Sequence, residues 1–364
     1  MRTCNLTLIA AICTAWLWYA SPASARSIEM DAYGLTKDGK DCTPALRKCL
    51  ETLRQNPISE PTILNFSEGT YHFYPDMGYD EYCFISNNDE GLKRVIFLLK
   101  DLRDIEIDGH GSTFIFHGFT NPFLISGASN ICFRNFTIDC ARPFHSEGII
   151  TGLCDDGVIV EIPEEFPYKI ANGILMFTGD TSHDENLPPT TVTHEEIYTY
   201  GHILEFDTRR RETAYMANDY FFKNNPLVAE DIGGRRVRIY LPGLTGTIGN
   251  TLVFGPDHRK FPAFTATDSN DISFSNVTIH HAGGMGIIGQ RVRNVTVDSC
   301  KVMPSGNRIL STTADATHFS NCTGKITLSN NIFTNQMDDA TNIHGIYVRI
   351  REISAPDKAL VELC

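Results

Sequence analysis

Residues 270–281 read NDISFSNVTIHH and residues 292–302 read VRNVTVDSCKV. In each, apolar residues alternate with polar ones, as in a strand with one buried face, and the run is entered through a polar or small residue. The offset between the two is roughly 23 residues. Three further stretches repeat the pattern: LRDIEIDGHG at 102–111, SNICFRNFTIDC at 129–140 and GKITLSNNIFTN at 324–335. Most add an Asn or Asp just after the strand. A unit of strand plus turn at this period is a solenoid signature. It predicts an all-β fold, a right-handed parallel β-helix with Ile, Val and Phe stacked inside and Asn at the bends. The alternative is a β-sandwich of similar short strands, which would need frequent two-residue hairpin turns, and these are scarce here.

The flanks fit a solenoid. Before the first repeat, Thr43 is expected as N-cap and Pro44 at the first helical position, with Leu46, Cys49, Leu50 and Leu53 on one apolar face. An N-terminal capping helix of this kind shields the open end of the coil. Between the second and third repeats the period is lost. The runs GVIVEI at 157–162, HILEFD at 202–207, RRVRIYL at 235–241 and NTLVFG at 250–255 suggest an inserted all-β, barrel-like module. The expected organisation is a signal peptide at 1–25, β-helix at 26–147, the inserted module at 148–256 and further coils at 257–364. The last segment, HGIYVRIREISAPDKALVELC at 344–364, starts another coil without a closing cap, so more coils are expected after it.

The chain has 364 residues, 42% of them hydrophobic, and a formal charge of −13. That charge opposes nucleic acid or an anionic membrane as the main partner, because both need a dense basic surface. Residues 1–25 combine Arg2, an apolar run from about Leu6 to Ala20 and the small residues Ala23-Ser24-Ala25, the pattern of a cleaved secretory signal. The expected location is therefore secreted or periplasmic, with no membrane span in what remains. Nine cysteines follow the cleavage point, irregularly spaced and without a CxxC pair. Buried thiols are expected over a disulfide framework or a zinc quartet.

Residues 335–345, NQMDDATNIHG, set Asp338 and Asp339 side by side, and STTADATHFSNC places Asp315 about one coil earlier. Successive coils stack about 4.8 Å apart, so acids one period apart in sequence can be neighbours in space. Three converging carboxyls match glycoside hydrolysis by inversion, in which one acid protonates the leaving oxygen and a base activates water. Asp and Asn are also common ladder residues at β-helix bends, the bland account of the same letters.

The stretch TTADATHFSNCTGKITLSNNIFTNQMDDATNIHG at 312–345, with DAYGLTKDGKDCTPALRKCLETLR at 31–54 and FLLKDLRDIEIDGHGSTFIFHG at 97–118, resembles the α-1,3-galactosidases of glycoside hydrolase family 110. The resemblance runs from about Ile28 to the end of the chain. It implies a right-handed β-helix with an inserted β-barrel, removal of terminal α-1,3-linked galactose with inversion, and no metal or other cofactor. Family members continue well beyond Cys364. Carried over residue by residue, the catalytic aspartates fall on Asp315, Asp338 and Asp339. By analogy with the polygalacturonases, Asp339 is assigned as general acid and Asp315 with Asp338 as the pair holding water, an assignment in which acid and base can be exchanged. The implied partner is an oligosaccharide or glycoconjugate with terminal α-galactose, linear or of the branched blood-group B type.

His318, Asn342 and His344 are candidate hydrogen-bond partners for galactose hydroxyls, or satisfied structural polars. His280-His281 and Gly109-His110-Gly111 read as turn elements more than as metal or phosphate sites. Five sequons, at Asn65, Asn135, Asn276, Asn294 and Asn321, fit an Asn ladder better than glycosylation. Two other functional classes share the solenoid. A pectate-lyase-like or polygalacturonase-like enzyme acts on acidic sugars, and a non-catalytic β-helical relative binds carbohydrate only. Oligomeric state and disulfide pairing are not set by the sequence.

Overall fold

The computed structural model describes residues 25–56, 60–86, 89–180, 195–221 and 226–363. The expected signal peptide falls outside them except for Ala25, and Cys364 lies outside them too. The five sequence repeats become neighbours in one parallel sheet. Its order is Arg26–Glu29, Thr62–Asn65, Arg103–Phe116, Ser129–Cys140, Asn270–Ile279, Arg293–Asp298 and Thr323–Ser329. The register repeats the sequence offset, Asn270 opposite Arg293 and Ile272 opposite Val295. The long strands bend and continue into a second wall, completed by Thr70–Phe73, Lys301–Val302 and Ile332–Phe333. A third wall runs through Asp89–Lys100, Asn121–Ser126, Phe264–Thr267, Ile287–Gln290, Thr317–Ser320 and Thr341–His344, all parallel. Three walls of parallel strands wound in coils make a right-handed parallel β-helix.

The corners explain the Asn pattern. Asn130, Asn135, Asp271, Asn276 and Asn294 hold φ between 52° and 60°, a left-handed conformation that Asn and Asp tolerate better than other side chains. Their side chains join coil to coil: Asn130 Nδ2 donates to Asp104 Oδ1 at 2.6 Å, Asn276 Nδ2 to Asn135 Oδ1 at 3.0 Å and Asn294 Nδ2 to Asp271 Oδ1 at 2.8 Å. Asn65 and Asn321 are also engaged, with Ser27 and with the Ile346 N–H. Gly109-His110-Gly111 forms the bulge between Asp108 and Ser112 at which one long strand turns its corner.

Inside, aromatic rings stack along the axis: Phe97 on Phe123 at 4.2 Å, Phe123 on Phe264 at 4.5 Å and Phe133 on Phe274 at 5.2 Å between centroids. The helix Thr43–Gln55 closes the first coil, with Leu46, Cys49, Leu50 and Leu53 buried. Its start differs from the expectation by one residue. Cys42 is the N-cap and Thr43 already lies in the helix, because Asp41 Oδ1 accepts the Thr43 N–H at 2.8 Å and the Thr43 hydroxyl turns to Tyr74 O. Cys42, Cys49, Cys83, Cys140, Cys154, Cys300 and Cys322 are free thiols. Among the described residues no helix is long and apolar enough to cross a membrane.

Between Cys140 and Phe264 the chain leaves the coil and builds an antiparallel sheet. It runs from Tyr168–Ala171 through Ile174–Asp180, Val228–Asp231, Arg236–Tyr240, Gly157–Glu161, Ser146–Cys154 and Thr251–Gly255 to His202–Asp207. This sheet has its own core, including Ile150, Val160, Phe177, Ile203, Val237 and Leu252. The strands that open and close this module in the chain, Ser146–Cys154 and Thr251–Gly255, pair with each other, Ser146 opposite Phe254, so the chain returns to the solenoid where it left.

Candidate active site

The residues that lead into each strand of the third wall form a rim, and the candidate acids sit on it. Thr317 pairs with Thr341, and the parallel ladder continues below the strands: Ala316 N donates to Asp339 O at 2.9 Å and Gly286 N to Asp315 O at 3.0 Å. Extended by two residues, this register puts Asp315 opposite Asp339 on the next coil and Asp338 opposite Ala314. The 24-residue step from Thr317 to Thr341 is thus what turns two acids distant in sequence into rung neighbours.

The three carboxyls have different surroundings. Asp315 is buried, and its Oδ2 lies 2.6 Å from His318 Nδ1. His318 Nε2 contacts His344 Nε2 at 2.8 Å, and His344 Nδ1 contacts Gly345 O at 2.8 Å. Asp338 pairs with Arg259, Oδ2 to Nη2 at 2.6 Å, and both side chains remain 37% exposed, open to a solute. Asp339 is exposed, and its carboxylate has no protein partner among the described residues.

Of the candidate sugar-binding residues, His318 and His344 join the Asp315 chain directly, whereas Asn342 pairs with His318 in the ladder and stays half-buried beside it. Arg259 was not among the sequence candidates. It lies in the run His258-Arg259-Lys260, where the chain leaves the inserted sheet, and that basic run next to an acidic rim is the one signal the sequence offers for it. Gly284 lets this loop approach: a Cβ there would stand 2.9 Å from Arg259 O.

Below the rim lies a buried polar layer. Arg308 pairs with Asp139 and reaches Glu165 through Nε at 3.1 Å. Burial opposes ionisation of Asp139, but the Arg308 guanidinium outweighs it and holds the carboxyl below the usual range. His281 spends both ring nitrogens on backbone, accepting the Phe144 N–H at 2.8 Å and donating to Ser311 O at 2.5 Å, and burial keeps its imidazole neutral. Among the described residues no group of three or more His, Cys, Asp or Glu is arranged to hold a metal ion.

Residues 146–252 match the family model for GLAA-B beta-barrel domain I. Over 351 residues the chain is 35% identical to alpha-1,3-galactosidase A of Shewanella woodyi, covering 94% of this chain and 55% of that protein. It is 29% identical to an alpha-1,3-galactosidase B of Phocaeicola vulgatus, covering 95% and 56%, and 28% identical to that of Bacteroides thetaiotaomicron, covering 98% and 56%. The chain spans about half the length of the curated relatives it matches. Among solved structures, the catalytic unit of a GH87 alpha-1,3-glucanase from Streptomyces thermodiastaticus covers 90% of this chain and 34% of its own, at a TM-score of 0.38 and 11% identity. A family 28 exopolygalacturonase from Yersinia enterocolitica covers 88% and 45%, at a TM-score of 0.33 and 13% identity. Over nearly all its length the chain is homologous to the proteins named alpha-1,3-galactosidase A and B.

Proposed function

We propose that this chain carries the catalytic rim of an exo-acting glycoside hydrolase that removes terminal α-1,3-linked galactose from oligosaccharides or glycoconjugates, with inversion. The observation that carries the reading is the in-register stacking of Asp315 and Asp339 on adjacent coils, with Asp338 beside them, in a homologue of proteins bearing that name. In the proposed reaction Asp339 gives its proton to the glycosidic oxygen as the bond to C1 breaks. Water attacks C1 from the opposite face and loses a proton to the Asp315–Asp338 pair, releasing β-galactose. The surroundings suit these roles. Asp338 is paired with the Arg259 guanidinium yet open to a solute, Asp339 has no cation partner among the described residues, and Asp315 Oδ2 is held 2.6 Å from His318 Nδ1. His318, Asn342 and His344 would line the sugar's side of the rim. We also propose export through the N-terminal signal, which puts the enzyme where glycans are met.

Proton NMR of the protein with Galα1-3Gal tests the reading. Early β-galactose is expected, and Asp→Asn at 315, 338 or 339 should lower turnover by about 10²- to 10⁴-fold without changing the thermal midpoint. Undiminished turnover in all three variants would sink the assignment. An unsaturated product would move the protein to the eliminases, and binding of galactosides without release to the non-catalytic relatives.

A further inference from the structure

The coil that carries Asp315 is longer than its neighbours, and the excess touches the inserted barrel. Phe264 to Ile287 is a step of 23 residues and Thr317 to Thr341 one of 24, but Ile287 to Thr317 takes 30. The extra length, about 303–311, leaves the solenoid. Ile309 and Leu310 are buried with Phe206 and Val253 of the barrel strands, and Met337, the neighbour of Asp338, packs on the same group.

Two barrel side chains grip this excursion. Glu147, only 5% exposed on strand Ser146–Cys154, accepts the Ile309 N–H through Oε1 at 2.8 Å, with His145 Nε2 at 2.9 Å from the same oxygen. Arg211, in the exposed turn after His202–Asp207, donates to Arg308 O at 2.6 Å and to Gly306 O at 3.3 Å, and its own carbonyl accepts from Asn335 Nδ2 at 2.8 Å. From there the fixation passes on. Ser311 N donates to Asn335 O, the Ser311 hydroxyl donates to Thr334 O and Met337 N donates to Thr312 O, so the loops leading to Asp315 and to Asp338 are tied to each other. A free coil of this length would have no reason to hold one conformation, because the parallel ladder fixes only its strands.

We infer that the barrel belongs to the positioning machinery of the active site: Glu147 from within and Arg211 from outside clamp the 306–310 excursion and so set where Asp315 and Asp338 stand. Both are positioning residues, and the inference rests on the reading that these aspartates are catalytic. A carboxylate suits the inner position because it can take the neighbouring Ile309 and Leu310 amides together, in a layer where an unpaired N–H is costly.

The test uses the full chain, Galα1-3Gal and the variants Glu147→Leu, Glu147→Gln and Arg211→Ala, with Asp315→Asn as control. Glu147→Leu should lower kcat by about 10- to 100-fold with KM within about threefold, the mark of misplaced groups rather than lost binding. Glu147→Gln keeps an acceptor oxygen for the Ile309 N–H and should retain kcat within about threefold. Arg211→Ala, at an exposed turn, should fold normally and lower kcat by about three- to tenfold, again without a matching change in KM. Wild-type kcat in both Glu147→Leu and Arg211→Ala, beside an inactive Asp315→Asn, overturns the clamp. If Glu147→Leu does not fold, Arg211→Ala decides alone, and wild-type kcat there overturns it. Full turnover in Asp315→Asn would instead remove the reading underneath, and the clamp with it.

Discussion

Replacing Glu147 by Gln should change the pH dependence of stability in a way that can be worked out beforehand. Burial pushes the Glu147 carboxyl up from 4.5 to about 7, against the opposing pull of the Ile309 and Leu310 amides and of Arg308 and Arg211. The folded state thus binds this proton more tightly than the unfolded state does. The resulting stabilisation is fully present below about pH 4.5 and is lost as pH rises through about 7. At about 1.4 kcal/mol per unit, the displacement amounts to about 3 kcal/mol. Gln cannot titrate, so the variant should gain on the wild type by about 2 to 3 kcal/mol between pH 5 and pH 8. The other ionisable groups around Glu147 do not produce this difference. His145 and His281 are held neutral by burial across that window, and Asp139, Glu165, Arg142 and Arg308 are common to both proteins. Urea unfolding followed by circular dichroism at pH 5, 6, 7 and 8 measures it. A constant offset between the two proteins would refute the reasoning, because it would mean that Glu147 carries the same charge folded and unfolded throughout.

Arg259→Ala leaves Asp338 without its cation and should reduce kcat/KM for Galα1-3Gal about tenfold or more, while Arg259→Lys restores most of it. Equal activity in wild type and Arg259→Ala, by released galactose, would show the ion pair to be incidental. Phe123→Ala removes a fully buried ring stacked between Phe97 and Phe264 and should cost about 3 to 5 kcal/mol, read as a lowered urea midpoint. A loss under about 1 kcal/mol would mean that the column relaxes around the gap.

The first wall was legible because its strands obey a strict period: the letters of NDISFSNVTIHH and VRNVTVDSCKV alternate in step, and Asn or Asp marks most corners. The third wall was not. Its strands are as short as four residues, as in Phe264–Thr267 and Ile287–Gln290, and the loops before them vary in length, so neither alternation nor spacing singles them out. Outward residues of that wall are also apolar where a hairpin covers them, as Ile85 covers Met285, Ile288 and Ala314, which erases the polar half of the pattern. The same limit applies to the rim. Asp338 and Asp339 stand out as an adjacent pair, and Asp315 as one coil away. Arg259 and Glu147 meet their partners across 79 and 162 residues of chain, and no local pattern encodes a contact of that range. The helix cap shows a smaller case of the same kind. Asp41 takes the Thr43 amide because Tyr74, far along the chain, claims the Thr43 hydroxyl.

The pairing of Ser146 with Phe254 bears on how the chain folds. Asn135 and Asn276 are ladder neighbours, yet 141 residues separate them. Winding the next coil directly across such a gap would carry the full entropic penalty of closing a long flexible loop. Once the inserted sheet has formed, its terminal strands hold the two ends of the solenoid chain side by side, and the gap shrinks to a few residues. During synthesis the coils up to Cys140 can form first, but the coils after Phe264 should wait for the barrel. Slow-folding substitutions in the barrel core would then delay the C-terminal coils while leaving the N-terminal ones unaffected, and the exposed end of the half-built solenoid would be the species most open to aggregation.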